Sequence, residues 1–298
     1  MDSSTLSPPS ASSVKPQKKT GKAQGQRVGD QPWLRRLLIG LVLLAVFLLL
    51  VMPLIAIFVQ AFSAGWSGFW TNLTDHYTLH AIGLTLLVAA LTVPINLVFG
   101  VLLAWLVTRF DFIGRKVLMT LIDIPFAVSP VVAGLIYLLL YGSQGWLGGW
   151  LMDHDLQIMF AWPGLVLVTV FITCPYVARE LIPLMQQQGS SEEEAALSLG
   201  ASGWQMFRRV TLPNIQWALL YGVILTNARA VGEFGSVSVV SGSIRGETNT
   251  LPLHVELLYQ DYNLVGAFTS AALLACLALI TLAAKAWLEQ RQMKEVES

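Results

Sequence analysis

Residues 189–213, GSSEEEAALSLGASGWQMFRRVTLP, lie between two long apolar runs and read as short capped helices, not as a membrane span. Ser191 can cap a helix, with Glu194 three residues on as in a capping box. Glu192, Glu193 and Glu194 place three acids in the first turn, where the helix dipole favours negative charge. Gly200 is a natural C-terminal stop. A second amphipathic helix is expected from Trp204 to Val210, ended by Leu212-Pro213. Ala195, Ala196, Leu197 and Leu199 give the first helix a small apolar surface, suited to a groove on another protein. The alternative is a helix lying flat on the membrane. The acidic first turn opposes it, because anionic lipid prefers Lys and Arg there.

Outward from this loop the chain is strongly apolar. Of its 298 residues 55% are hydrophobic and 12% charged, with no net charge. A soluble fold carries about 25% charged residues, so too little polar surface is available to cover one. The neutral balance gives no field directed at nucleic acid. A bilayer core of about 30 Å takes roughly 20 apolar residues in a helix. Six such runs are expected: Leu37 to about Phe62, Leu79 to Val107, Val117 to Tyr141, Ile158 to Val177, Trp217 to Val239 and Leu264 to Trp287. The fold class is therefore an all-α membrane protein, residues 33–288, with both termini on one side. Residues 1–32 are rich in Ser, Pro, Lys, Gln and Gly and are expected to be a disordered tail. They have no apolar h-region, which leaves a plain cytoplasmic tail or, alternatively, a transit peptide. Residues 289–298 are expected to be a second cytoplasmic tail.

The side follows from Lys and Arg. Lys15, Lys18, Lys19, Lys22, Arg27, Arg35 and Arg36 precede the first run. Arg109, Arg115 and Lys116 follow the second, and Arg179, Arg208 and Arg209 follow the fourth. The first-to-second and third-to-fourth connections have neither residue type. Termini and even-numbered loops are thus expected in the cytoplasm. Trp33, Trp66, Trp70, Trp146, Trp150, Trp162 and Trp287 fall near run ends, as an interfacial belt requires. Cys174 and Cys276 sit in apolar runs and read as small buried hydrophobes. The four histidines lie outside the apolar cores, and no Cys or His spacing suggests a metal.

Ionisable groups at membrane depth either line a pathway or pair with one another. The fifth run holds Asn227, Arg229 and Glu233. Arg229 lies roughly 24 Å beyond Pro213 at about 1.5 Å per residue, in the outer part of the membrane. Arg229 and Glu233 form either a self-neutralising i,i+4 pair or part of an anion's route, and the two readings are compatible. Asp123 in the third run, followed by Pro125 and Pro130, is expected to hydrogen-bond inside a kinked bundle. Gly83, Gly100, Gly134, Gly164 and Gly222 are expected to permit close helix packing. Ser236, Ser238, Ser241 and Ser243 belong to a Gly/Ser-rich stretch that offers neutral donors to an oxyanion, or is an ordinary helix end and loop.

Glu194-Ala195-Ala196, Gly200 and Val210-x-Leu212-Pro213 resemble the EAA loop of ABC-importer permeases, at the spacing of that family. The resemblance implies the type I importer permease fold, with a core of about residues 79–287. It implies a coupling loop of about 189–213, in which Glu193, Glu194, Ala195, Ala196, Leu199, Gly200, Leu212 and Pro213 meet a separate ATPase. No GxxxxGK[ST] occurs in the chain, so ATP and Mg belong to that partner and the chain is not an enzyme.

Two longer stretches sharpen the resemblance: Ile124 to Gly134, and Gly232-Glu233-Phe234-Gly235 through Val239-Val240-Ser241-Gly242 to Leu253. Both are similar to permeases of sulfate/thiosulfate importers. That family implies a second homologous permease, two ATP-binding subunits and a periplasmic sulfate-binding protein, in a bacterial inner membrane. An outward loop with Ser241, Ser243 and Arg245 would face the binding protein. Molybdate/tungstate permeases share the GEFG-type element and are the nearest alternative. A secondary transporter or channel is the alternative of another class, although no inverted repeat relates the two halves. An intramembrane enzyme would need paired nucleophile and base residues at membrane depth, and no such pair stands out.

Overall fold

The structure, a computed structural model, describes residues 32–297; the N-terminal tail falls outside them. The described residues form helices and no strand. The described residues divide into two units, with the boundary between Met52 and Pro53. In the first, α1 (Pro32–Val46) runs into a π-helical turn, Phe47–Val51, and its leucines are exposed.

The second unit begins with α2 (Met52–Ala61), α3 (Gly65–Leu73) and α4 (His76–Arg109). It continues through α5 (Arg115–Ile122), α6 (Ile124–Ala127), α7 (Pro130–Tyr141) and α8 (Gly148–Asp153). After these come α9 (Trp162–Gln188), α10 (Ser191–Ser198), α11 (Gly203–Met206) and α12 (Leu212–Val231). The chain closes with α13 (Gly235–Ser241), α14 (Leu251–Gln260) and α15 (Leu264–Glu297).

Among the described residues four helical runs are long and apolar enough to cross a membrane: Trp33–Ala61, His76–Arg109, Trp162–Gln188 and Leu264–Arg291. A fifth candidate is the pair Arg115–Ala127 and Pro130–Tyr141, bent by 107°. The expected third run, Val117 to Tyr141, is therefore not only kinked but broken. Val128 and Ser129 are both extended, and Pro130 disfavours a helical residue before it. The expected fifth run is broken as well. α12 ends at Gly232, and α13 is a separate helix packed on α7. Asn214, Gln216, Asn227 and Arg229 dilute the apolar character of α12. The fourth run continues past its expected end at Val177, through Pro183, to Gln188.

α4, α9 and α12 pack together around Val177, which is fully buried. A Cβ on Gly100 would lie 2.6 Å from the Val177 Cβ, and one on Gly222 3.1 Å from its Cα. The missing side chains thus let three backbones approach, the usual means of helix association in lipid. Gly134 and Gly164 are equally crowded, by Ser236 O and Ile158 O, whereas Gly83 faces open space. Val177, Leu103, Val107, Leu181, Met185 and Ile215 fill one core. Beyond it, Leu84, Val88, Leu165, Val168, Val237, Val240 and Leu253 fill the other. Asn96 donates to Thr173 Oγ1 at 2.6 Å, and the Thr169 and Thr173 hydroxyls bond back to carbonyls one turn earlier. Outward faces carry large apolar side chains, among them Val98, Leu139 and Ile280. The seven belt tryptophans are all exposed.

Candidate functional site

The loop between α9 and α12 is helical almost throughout. α10 begins at Ser191, one residue after its cap, Ser190, whose hydroxyl donates to Glu194 Oε1 at 2.6 Å. The capping box expected at Ser191 instead closes α11: Ser202 accepts from the Gln205 N–H, and the Gln205 side chain accepts from the Ser202 N–H. α10 ends as expected. Gly200 has φ +88°, its N–H bonds Leu197 O, and the Ala201 N–H bonds Ala196 O. This pair of bonds is the Schellman closure, which needs a left-handed residue. Pro213 does not end the second helix. α11 passes through a π-helical turn, Phe207–Thr211, directly into α12, with Pro213 in its first turn. The wider π turn accommodates the Pro213 ring and its missing N–H within the continuous helix.

Glu194, Ala195, Leu197 and Leu199 are exposed, Leu199 to 89%. Ala196, Leu199, Gly200, Gln205 and Arg209 border a shallow cavity of about 330 Å³. Glu193, expected to meet a partner, points the other way and is 7% exposed. Its carboxylate accepts from Arg109 Nε at 2.6 Å and Nη2 at 3.2 Å, and from the Thr211 hydroxyl at 2.8 Å. Arg109 Nη1 also donates to Met185 O at 3.1 Å. Glu192 bonds Asn214 on α12. Leu212 is half-buried and Pro213 exposed.

Arg229 and Glu233 form an ion pair at 2.7 Å, with side chains 33% and 1% exposed. The other Glu233 oxygen accepts from the Ser236 N–H at 3.1 Å and hydroxyl at 2.8 Å. The carboxylate therefore closes the start of α13, and the donors of Ser236 are taken up. The Ser238 hydroxyl donates to Gly235 O. Asn227 is half-buried on the last turn but one of α12.

Beyond α13 the stretch expected to be an open loop is partly folded inward. Ser241 is fully buried, accepting from the Ser243 N–H and, through its carbonyl, from the Thr248 hydroxyl. Ser243 and Arg245 are exposed. Arg245 pairs with Asp261, and its guanidinium lies 5.6 Å from the Tyr77 ring centre. His254 on α14, expected to be outside the core, is 1% exposed, with Nε2 3.1 Å from the Thr78 hydroxyl. Burial, then the nearby Arg245, lowers its pKa below the ordinary value, against an opposing pull from Asp75. Asp123, expected inside the bundle, pairs with Arg179 at 2.9 Å, with both side chains half-exposed. Among the described residues no group of His, Cys, Asp and Glu is arranged to hold a metal. Both cysteines are free and half-buried.

Residues 96–294 match the family described as binding-protein-dependent transport system inner membrane component. Over 259 residues the chain is 67% identical to the sulfate transport system permease protein CysW of Escherichia coli K12, covering 87% of this chain and 89% of that one. The chain belongs to this permease family. It is also 38% identical to the sulfate transport system permease protein CysT of the same organism, over 81% of this chain and 88% of that one. A chain of a bacterial alginate ABC transporter crystal structure superposes with a TM-score of 0.71 at 20% identity, covering 88% of this chain and 96% of that one. Family members of this kind are membrane permease subunits and not enzymes, and the shared fold is that of an ABC importer permease.

The bonds of Arg109 and Thr211 to Glu193, and of Asn214 to Glu192, were not legible in the sequence. The one signal was that Arg109 ends an apolar run as a lone basic residue, which reads equally well as a topology mark.

Proposed function

We propose that this chain is the permease subunit of an ATP-driven sulfate importer, forming half of the translocation pathway. The observation that carries this reading is the 67% identity to a sulfate permease, spread over 87% of the chain. Thiosulfate, also a tetrahedral dianion, is the expected second substrate. The exposed Leu197 and Leu199 beside the acidic start of α10 support docking in a groove of a separate ATPase. Glu194, Ala195, Ala196, Leu199 and Gly200 make that contact; Glu193 is buried away from it. ATP and Mg are held by two such ATPase subunits. Closure of the ATPase pair moves the docked helices, and the pore changes from inward- to outward-facing by rigid-body rocking.

Six crossings follow if the bent α5–α7 run counts as one and α12 with α13 as another. The Lys and Arg flanks then put both termini in the cytoplasm of a bacterial inner membrane. The relationship to the CysT permease supports a second, homologous permease as the other half of the pore. Arg229 borders the anion's route, and the ion pair with Glu233 holds it until the pore changes state. Ser243 and Arg245 face a periplasmic binding protein.

Uptake of radiolabelled sulfate by cells lacking the gene tests the reading, with molybdate measured alongside. Loss of sulfate uptake alone, restored by the intact gene, is expected. Unchanged sulfate uptake with lost molybdate uptake would overturn the substrate and leave the fold intact.

A further inference from the structure

A docked α10 drives the pore only if its displacement reaches a spanning helix. α10 packs against α11 and the π turn, and its direct side-chain bridge to α4 is the Glu193–Arg109 pair, 84 residues apart in sequence. We propose that Arg109 is the positioning residue that passes movement of α10 to α4. This rests on the coupled-permease reading above.

Two N–H groups of the guanidinium meet both oxygens of Glu193, which fixes orientation as well as distance. A third meets Met185 O, so one side chain ties the last turn of α4 to α9 and α10 together. The two side chains are 11% and 9% exposed, so salt and water screen the pair little. Thr211 holds the same carboxylate from the π turn, and Phe207 of that turn lies 5.4 Å from Trp105 of α4. The end of α4 is thereby gripped by both halves of the loop. An ammonium would give charge without the fork, so Lys is not an equivalent replacement.

The test uses the full complex in proteoliposomes with its partner permease, ATPase subunits and binding protein. Radiolabelled sulfate imported per ATP hydrolysed is measured for wild type, Arg109→Gln, Arg109→Gln/Glu193→Gln and the swap Arg109→Glu/Glu193→Arg. In parallel, a fluorescent probe at Leu102→Cys on α4 reports the ATP-induced change, with Cys174 and Cys276 replaced by Ser. Leu102 is 57% exposed, and this reading needs no transported anion. The neutral double variant is expected to copurify with the ATPase and hydrolyse ATP. Its sulfate-to-ATP ratio should fall roughly tenfold, within the range that network mutations reach, and the probe response should shrink with it. The swap should recover each only in part, because Glu at 109 cannot donate to Met185 O and Arg at 193 cannot accept from Thr211. Arg109→Gln alone leaves Glu193 buried and unpaired, and if it fails to assemble the double variant decides. A wild-type ratio or a wild-type probe response in the double variant overturns the proposal. A wild-type complex that imports no sulfate instead overturns the substrate reading, and the probe response then decides on Arg109.

Discussion

Gly200 allows a sharp prediction, because the cost of changing it is conformational alone. Its φ is +88°, and a Cβ built there meets nothing within 4 Å. Ala at this position therefore pays no packing penalty, only the left-handed backbone cost of about 1–2 kcal/mol. At about 1.4 kcal/mol per tenfold, the closed turn becomes roughly 5- to 30-fold less favoured against alternatives. Asn tolerates the left-handed region and should lose less; Val, β-branched, should lose most. The order Gly, Asn, Ala, Val should appear in sulfate imported per ATP hydrolysed by the reconstituted complex. The fully exposed side of Leu199 depends on this turn, so ATPase docking should weaken in the same order. Normal uptake and coupling in Gly200→Val would refute the assignment of this loop to coupling.

Arg229→Ala should stop sulfate uptake and also lower the yield of assembled complex. It strands the buried Glu233 carboxylate, and breaking a buried pair in this way costs about 3–5 kcal/mol. Adding Glu233→Gln should restore assembly but not uptake; restored uptake would make Arg229 a packing residue. Gly100→Ala should destabilise the bundle by about 1–3 kcal/mol through overpacking against Val177, seen as a lower melting temperature in detergent. No change would show that α4 and α9 can separate freely. His254 is buried, and its pKa is lowered by burial and by Arg245. The unfolded chain therefore gains a proton below the ordinary value of 6.5 before the native one does. Stability from this group is complete above that pH and is lost as pH falls beneath it. His254→Asn should flatten the acid side of a melting-temperature profile, and an unaltered profile would assign the slope to other groups.

The apolar runs, the acidic loop and its glycine stop are local properties, and all were legible in order along the chain. Hydropathy over about 20 residues measures whether a helix can sit in lipid, so three of the four candidate spans lie near their expected bounds, while the fourth runs on to Gln188. The Gly200 turn was legible for the same reason: one residue type tolerates that backbone. Windowed hydropathy does not register where a run bends. Val128-Ser129-Pro130 and Gly232-Glu233-Phe234 break two runs whose average stays apolar. Resemblance supplied the permease family, and the residues alone supplied a membrane bundle with a protein-docking loop.

What only the tertiary structure decided is which polar groups face one another. Three glutamates in one helical turn are alike in sequence, yet Glu192 meets Asn214, Glu193 is buried on Arg109, and Glu194 is exposed. Ser236 read either as an anion donor or as part of an ordinary helix end, and the structure has Glu233 accept from it across the break before α13. These assignments depend on the direction of each side chain and on helices far apart in sequence. Composition and period determine that a helix forms and which face is apolar; they carry no information about which distant residue completes a buried charge.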